Sequence, residues 1–384
     1  MVQALIRQSA CIDDLKKRAK RRIPRFAMEY LQGGCNQETA LRRNRAALDV
    51  LCLRPDYLSD FQLPDLNTEV FAQSYQLPFG IAPLGLTGLI WPQASLMHAK
   101  AAKENNIPFV LSTVSTVSIE AAATVAEENL WFQLYPPADL RIREDLLRRL
   151  EAVGCQHLVV TVDVPAAGIR PKDTKNGLSV PPKISIANII QSARCPAWSI
   201  NTLKHGLPQF ASLQRYMPPQ AKMQDQANFI RHHLRKPVDQ LLLQQLRDRW
   251  QGKLIVKGIN HVDDAKRAQA LGADGIIVSN HGGRQLDAAQ PVIEVLPQIV
   301  SAVSNQLVVM ADSGVESGVD IARFLSCGAQ MVFVGRAFLY AVAAHAEQGT
   351  QHAIDLLQQE LSQVMQQLHC ASPKALQQHR LMPS

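Results

Sequence analysis

The sequence predicts a (β/α)8 TIM barrel with an N-terminal helical segment and one long insertion after the fourth strand. Three observations predict it. From Leu77 onward, eight short apolar runs alternate with helical stretches, and each run ends in polar or glycine residues. Three of the helices close at a glycine (Gly154, Gly272, Gly328) two or three residues before the next run. Glycine is the usual residue just past a helix end because it accepts the left-handed backbone. No Gly-x-Gly-x-x-Gly follows the first run, which counts against a doubly wound open sheet.

The 384 residues and 47% hydrophobic content suit one large α/β domain over 1–384. The barrel core is expected at about 77–345 and the insertion at about 171–235. The N-terminus lacks an apolar signal region, and no stretch is apolar enough to span a bilayer. Seven scattered cysteines with no Cys-x-x-Cys pair indicate neither a disulfide framework nor a metal site. A reducing cytoplasm fits best.

In chain order, Asp13 to Arg22 reads as a helix, Pro24 interrupts it, and Arg25 to Leu31 resumes before Gly33-Gly34. The basic run (Lys16, Lys17, Arg18, Lys20, Arg21, Arg22, Arg25) reads first as a solvated helix face. It has no interleaved aromatics to stack on bases, so nucleic acid is the poorer partner. Leu51 to Ser74 reads as short strands and turns forming an edge or lid. The barrel strands then begin at Phe79, Pro108, Leu130, His157, Leu254, Gly275, Leu307 and Met331.

Between strands four and five the insertion mixes apolar residues (Ile184, Ile186, Ile189, Ile190, Trp198, Ile200, Leu203, Leu207, Phe210) with prolines, among them Pro181, Pro182 and Pro219. Long connections of this kind tend to be functional. Two readings stand: a lid packed on the barrel, or a membrane-docking patch aided by Lys183, Arg194 and Lys204.

Active sites of such barrels lie at the C-terminal ends of the strands. In order those ends carry Pro83-Leu84-Gly85, Ser112-Thr113, Gln133 and Tyr135, Thr161 and Asp163, Lys257, Ser279 with His281 and Arg284, Asp312-Ser313-Gly314, and Gly335-Arg336. Polar groups falling on one rim eight times over make that rim a site. Arg284 and Arg170 can clamp a carboxylate. Tyr30 and Tyr135 can orient it or a neighbouring hydroxyl. His281 can act as general base, with Asp163 steadying the imidazole. Lys257 reads either as a buried ion pair with Asp163 or Asp312, or as a cation beside a charged cofactor. A phosphate site after strands seven and eight, at Asp312-Ser313-Gly314 and Gly335-Arg336, suits a phosphorylated redox cofactor, and FMN fits.

The stretch Ser279-Asn280-His281-Gly282-Gly283-Arg284-Gln285-Leu286-Asp287 resembles the active-site signature of the FMN-dependent α-hydroxy-acid oxidases and dehydrogenases. Phe132-Gln133-Leu134-Tyr135, Thr161-Val162-Asp163, Val256-Lys257-Gly258 and Gly335-Arg336 match in order, and the likeness covers nearly the whole chain. The resemblance implies His281 as the base with Asp163 as partner, and Tyr30, Tyr135, Arg170 and Arg284 as substrate-binding residues. It implies Lys257 beside the flavin N1 and O2. Ser112, Gln133, Thr161 and Ser279 would lie on the polar edge, with the backbone of Pro83, Leu84 and Gly85 under N5. The implied reaction oxidises an L-2-hydroxy acid, lactate- or mandelate-like, to a 2-oxo acid. The family also implies a homo-oligomer, typically a tetramer.

Three positions depart from the pattern. Glu316 stands where an arginine often reaches the FMN phosphate, which implies weaker cofactor binding or compensation by Arg336 and a loop cation. Leu84 stands where threonine is common. Gly85 stands where oxygen-using members tend to have alanine. With Trp91-Pro92 and Cys195-Pro196-Ala197-Trp198-Ser199, Gly85 resembles the membrane-associated mandelate dehydrogenase branch. That implies delivery of electrons to a quinone, from the inner face of the cell membrane, and not to oxygen.

Overall fold

The computed structural model describes residues 5, 7–178, 185–218, 220–221, 223–234, 237–303 and 306–381. Pro181, Pro182, Lys183, Ile184, Pro219 and Arg235 lie outside the described residues.

Helices Ile12–Arg22, Arg25–Gln32 and Thr39–Val50 come first. A two-stranded antiparallel hairpin follows, β1 (Thr68–Val70) and β2 (Gln73–Tyr75). Eight parallel strands then close a barrel in sequence order: β3 (Phe79–Ile81), β4 (Phe109–Ser112), β5 (Leu130–Leu134), β6 (His157–Thr161), β7 (Lys253–Ile259), β8 (Gly275–Val278), β9 (Val308–Ala311) and β10 (Met331–Val334). Strand β10 pairs with β3 to complete the ring. Such strands are buried on both faces, which is why they read as continuous apolar runs. Gly154, Gly272 and Gly328 take φ of +74°, +79° and +98°, as their helix-closing position requires.

The barrel interior is filled from Val110, Trp131, Val159, Ile255, Ile277, Met310, Met331 and Phe333. Val70, Tyr75 and Phe71 join this cluster from the hairpin. Trp131 donates to Tyr75 Oη at 3.2 Å and stacks on His157, at 4.4 Å between ring centroids. These contacts lie at the N-terminal ends of the strands, opposite the rim. The hairpin therefore plugs the barrel floor, which corrects the expectation of an edge or lid over the fold. The sequence could not show this, because a plug and a lid are equally amphipathic.

The basic run is also more than a solvated face. Arg18 and Arg22 donate through Nε to the carbonyls of Ala344 and Ala343, each at 3.0 Å. These carbonyls lie in the last turn of helix Arg336–His345, where unpaired carbonyls attract cations.

The insertion folds into helices Pro171–Lys175, Ile186–Ala193, Pro196–His205 and Met223–His233. Trp198 anchors it: its indole donates to Leu89 O at 3.0 Å, and its ring meets Phe26 edge-on at 5.8 Å.

Candidate active site

Each rim residue is delivered by a strand end or the loop just beyond it. A cavity of about 590 Å³ opens at that rim, a size ordinary for a cofactor-binding cleft. Tyr30, Tyr135, Arg170, His281 and Arg284 share its wall with Pro83, Leu84, Gly85, Ser112, Gln133, Thr161, Lys257, Asp312, Ser313, Gly314, Gly335 and Arg336. Asp163 and Ser279 stand one layer behind.

His281 sits in a tight turn at φ +58°, a left-handed conformation that a non-glycine residue seldom adopts. Its Nδ1 lies 3.0 Å from Asp163 Oδ1 and 3.2 Å from Oδ2. Its Nε2 faces Tyr135 Oη at 3.5 Å. The ring is thus held on one side by a carboxylate and open to the cavity on the other. Burial opposes the charge on Asp163, but His281, and behind it Lys257, outweigh burial and hold the carboxyl below its ordinary range. Gly258 makes room for this carboxylate. It takes φ +101° at a break in the β7–β8 register, and a Cβ there would lie 2.6 Å from Asp163 Cγ.

Arg284 donates through Nη1 to the carbonyls of Tyr30 (2.8 Å) and Gly33 (2.9 Å), so the signature loop is tied to the end of helix Arg25–Gln32. The Arg284 and Arg170 guanidiniums lie 5.0 and 5.7 Å from the Tyr30 ring centroid. Burial first, then Arg170, lowers Arg284 to about 10, which leaves it a cation at neutral pH. Burial first, then Asp163, pushes the Tyr135 phenol well above its usual range. The wall thus presents two guanidinium side chains and two phenols beside one imidazole.

Lys257 is buried and pairs with Asp312 Oδ2 at 2.7 Å, not with Asp163. It also donates to Ser279 Oγ at 2.8 Å. Ser279 Oγ in turn accepts from His281 N at 3.0 Å, so the Ser279 hydroxyl is spent on loop geometry behind the wall. Ser313 extends this network. It donates to Asp312 Oδ1 at 2.7 Å and accepts from Gly282 N at 3.0 Å.

The polar lining also fits FMN. Ser112 donates to Gln133 Oε1 at 2.9 Å, while the buried Gln133 Nε2 has no partner. A buried donor without an acceptor is costly, and the polar edge of a flavin ring would supply one. Arg336, first residue of helix Arg336–His345, stands where strands seven and eight of such barrels bind phosphate. Its guanidinium donates to the carbonyls of Leu31 (3.2 Å), Gly33 (3.3 Å) and Gly282 (3.0 Å).

Several contacts around the site are not visible in the sequence. Asp173 lines the cavity and pairs with Arg170 Nε at 2.7 Å. Asn44 and Asn280 exchange side-chain hydrogen bonds of 2.8 and 2.7 Å, which brace the signature loop. Asp287, at the end of the signature, accepts from the backbone of Gln37 and Ala40 and so serves the start of helix Thr39–Val50. Leu178, Ile230 and Leu234 bring the insertion into the cavity wall. At Gly85 a Cβ would lie 2.8 Å from Val114 Cγ2.

Fold and site together define a flavin-binding barrel oxidoreductase. Residues 19–383 match the model of the FMN-dependent dehydrogenase family, and the chain belongs to that family. FMN is therefore its cofactor. The L-lactate dehydrogenase of Acinetobacter baumannii is 37% identical over 354 residues, 92% of each chain. Among solved structures, the monotopic membrane protein (S)-mandelate dehydrogenase superposes with a TM-score of 0.92 at 35% identity, covering 97% of this chain and 98% of that one. A mandelate oxidase variant with (S)-mandelic acid superposes at 0.82 and 32% identity, covering 98% and 99%.

Proposed function

We propose that this chain oxidises an L-2-hydroxy acid, lactate- or mandelate-like, to the 2-oxo acid and passes the electrons to a membrane quinone. The observation that carries this reading is the His281–Asp163 pair, 3.0 Å apart, facing the same cavity as Arg170 and Arg284. Arg284 and Arg170 grip the substrate carboxylate, and Tyr30 and Tyr135 orient it and the adjacent hydroxyl. His281 takes a substrate proton at Nε2, while Asp163 accepts from Nδ1–H and stabilises the imidazolium. Bound FMN supplies the two-electron sink. Lys257 contributes positive charge beside it, Gln133 donates from Nε2, and Ser112, Thr161 and the backbone of Pro83, Leu84 and Gly85 complete that wall. Ser279 acts from behind by holding Lys257 and the His281 backbone. Asp312, Ser313, Gly314, Gly335 and Arg336 serve the phosphate end.

The whole of 1–384 acts as one catalytic domain in this reading. The exposed apolar insertion helices and the mandelate dehydrogenase likeness support docking on the inner face of the cell membrane, where quinone is available. The exposed stretch with Tyr57, Leu58, Phe61 and Leu63 supports assembly into a homo-oligomer, a tetramer by family habit, which light scattering would measure.

The test is His281→Gln, read by the visible spectrum under nitrogen. The variant should keep its bound flavin and lose substrate-driven bleaching. Normal bleaching would remove His281 from the role of base. Steady oxygen uptake by the wild type with no added acceptor would favour an oxidase releasing peroxide.

A further inference from the structure

The end of the cavity meant for phosphate carries a carboxylate. Glu316 lines it, in the loop after β9. Its Oε2 lies 3.6 Å from Nζ of Lys16, which comes from outside the barrel, on helix Ile12–Arg22. Both side chains are about one-third exposed, at 32% and 35%. Lys16 Nζ also stands 5.6 Å from the Tyr340 ring centroid. Tyr340 is buried, hydrogen-bonds Gln32, and feels the charges of both Arg336 and Glu316. Lys16, Gln32, Glu316, Arg336 and Tyr340 therefore form one cluster at this end of the site. Helix Ile12–Arg22 packs along helix Arg336–His345, and the Arg18 and Arg22 bonds to Ala344 and Ala343 hold it there.

The charges explain why such a cluster is needed. A phosphate monoester carries about −1.5 to −2 at neutral pH. Arg336 and Glu316 alone cancel, leaving nothing for it. With Lys16 the cluster regains one positive charge.

We propose that Lys16 is a cofactor-affinity residue: it neutralises Glu316 and provides, with Arg336, the net positive charge that the FMN phosphate requires. The cation that offsets Glu316 is thus on the N-terminal helix and not on a barrel loop. The assignment rests on FMN being the cofactor. It makes the first helix part of the holoprotein's cofactor site, so flavin loading and docking of that helix are linked.

The test compares FMN with riboflavin, which lacks the phosphate. Full-length apoprotein is titrated with each, and quenching of flavin fluorescence gives the dissociation constants. Lys16→Gln should weaken FMN about two- to fivefold, the scale of a partly exposed charge contact, and leave riboflavin nearly unchanged. Lys16→Arg should restore FMN binding. Glu316→Gln should tighten FMN alone, and should recover part of the loss in the Lys16→Gln background. The Lys16→Gln effect should shrink in high salt. Unchanged FMN affinity in Lys16→Gln, or an equal loss of both flavins, would overturn the proposal, the second by making Lys16 a mere anchor for its helix. If Lys16→Gln does not fold, Glu316→Gln alone decides: equal affinity for FMN before and after the change overturns it. A wild-type chain that binds neither flavin would instead sink the cofactor reading.

Discussion

At the scale of single residues, the Asp163 carboxylate is mostly buried, an environment that by itself favours the neutral acid. It stays ionised because the His281 imidazole and the Lys257 ammonium lie beside it. Its folded pKa is therefore depressed, and the sign of the linkage follows. The stability it adds is full above the unfolded carboxylate range, about pH 4, and is lost as pH falls through the lowered folded value. Asp163→Asn should lower kcat by about 10²–10⁴-fold, the scale of a misoriented base. Denaturant melts should show the stability gap between wild type and this variant closing on acidification below about pH 4. A gap that widens there would contradict the assignment. Gly258→Ala should act through the same carboxylate, since its Cβ would lie 2.6 Å from Asp163 Cγ at a φ of +101°. We expect a loss of about 1–3 kcal/mol in equilibrium unfolding together with reduced activity; a neutral substitution would mean that β7 relaxes freely. His281, Arg284 and Lys257 were legible in the sequence because each follows an apolar run at a strand end. Asp173, Asn44 and Lys16 were not. Asn44 and Lys16 have partners remote in sequence, and only folding brings Asn44 to Asn280 and Lys16 to Glu316; Asp173 pairs one helical turn back with Arg170, but nothing local shows that it lines the cavity.

At the scale of elements, the insertion packs one part of itself on the barrel and leaves another exposed. Trp198 packs one side of it against Leu89 and Phe26. The other side leaves Ile186, Ile189, Ile190, Ile200, Leu203 and Leu207 in the open, with Leu203 84% and Ile186 77% exposed. Scattered apolar residues are ordinary on a surface, but five on two consecutive helices, with Leu207 just beyond them, form a patch. Arg194 and Lys204 flank it, as an anionic surface would require. Replacing Ile189 and Leu203 together by serine should abolish sedimentation with anionic vesicles while leaving turnover with a soluble acceptor intact. Equal sedimentation of variant and wild type would refute docking through this face. The helical form of the insertion was masked in the sequence by its prolines. Two of them, Pro171 and Pro196, in fact start helices, where the missing N–H costs nothing. The place of the hairpin is hidden for a different reason: nothing local tells whether an amphipathic pair of strands covers the mouth of a barrel or its floor.

At the scale of the whole molecule, the ring of strands is what turns scattered residues into a site. Tyr30 and His281 are far apart in sequence, yet both line one cavity because helix Arg25–Gln32 and the loop after β8 meet at the same rim. The links are Arg284 to Tyr30 O and Gly33 O, and Arg336 to Leu31 O and Gly282 O. The barrel was legible because its strands are buried on both faces and three of its helices close at a glycine. Substrate size was not, since the wall is shared between Leu84 and Gly85 from the barrel and Leu178, Ile230 and Leu234 from the insertion. In the proposed reaction, an imidazole and a pair of guanidiniums act on one hydroxy acid beside a bound flavin. The most direct measurement is an anaerobic visible spectrum of the holoprotein, titrated with L- and D-2-hydroxy acids of increasing side-chain size. The oxidised flavin absorbance should be lost with L-acids, at a rate set by side-chain size, and should persist with their D-enantiomers. A flavin that stays oxidised with every L-acid, or that bleaches equally with both enantiomers, would contradict the proposed reaction.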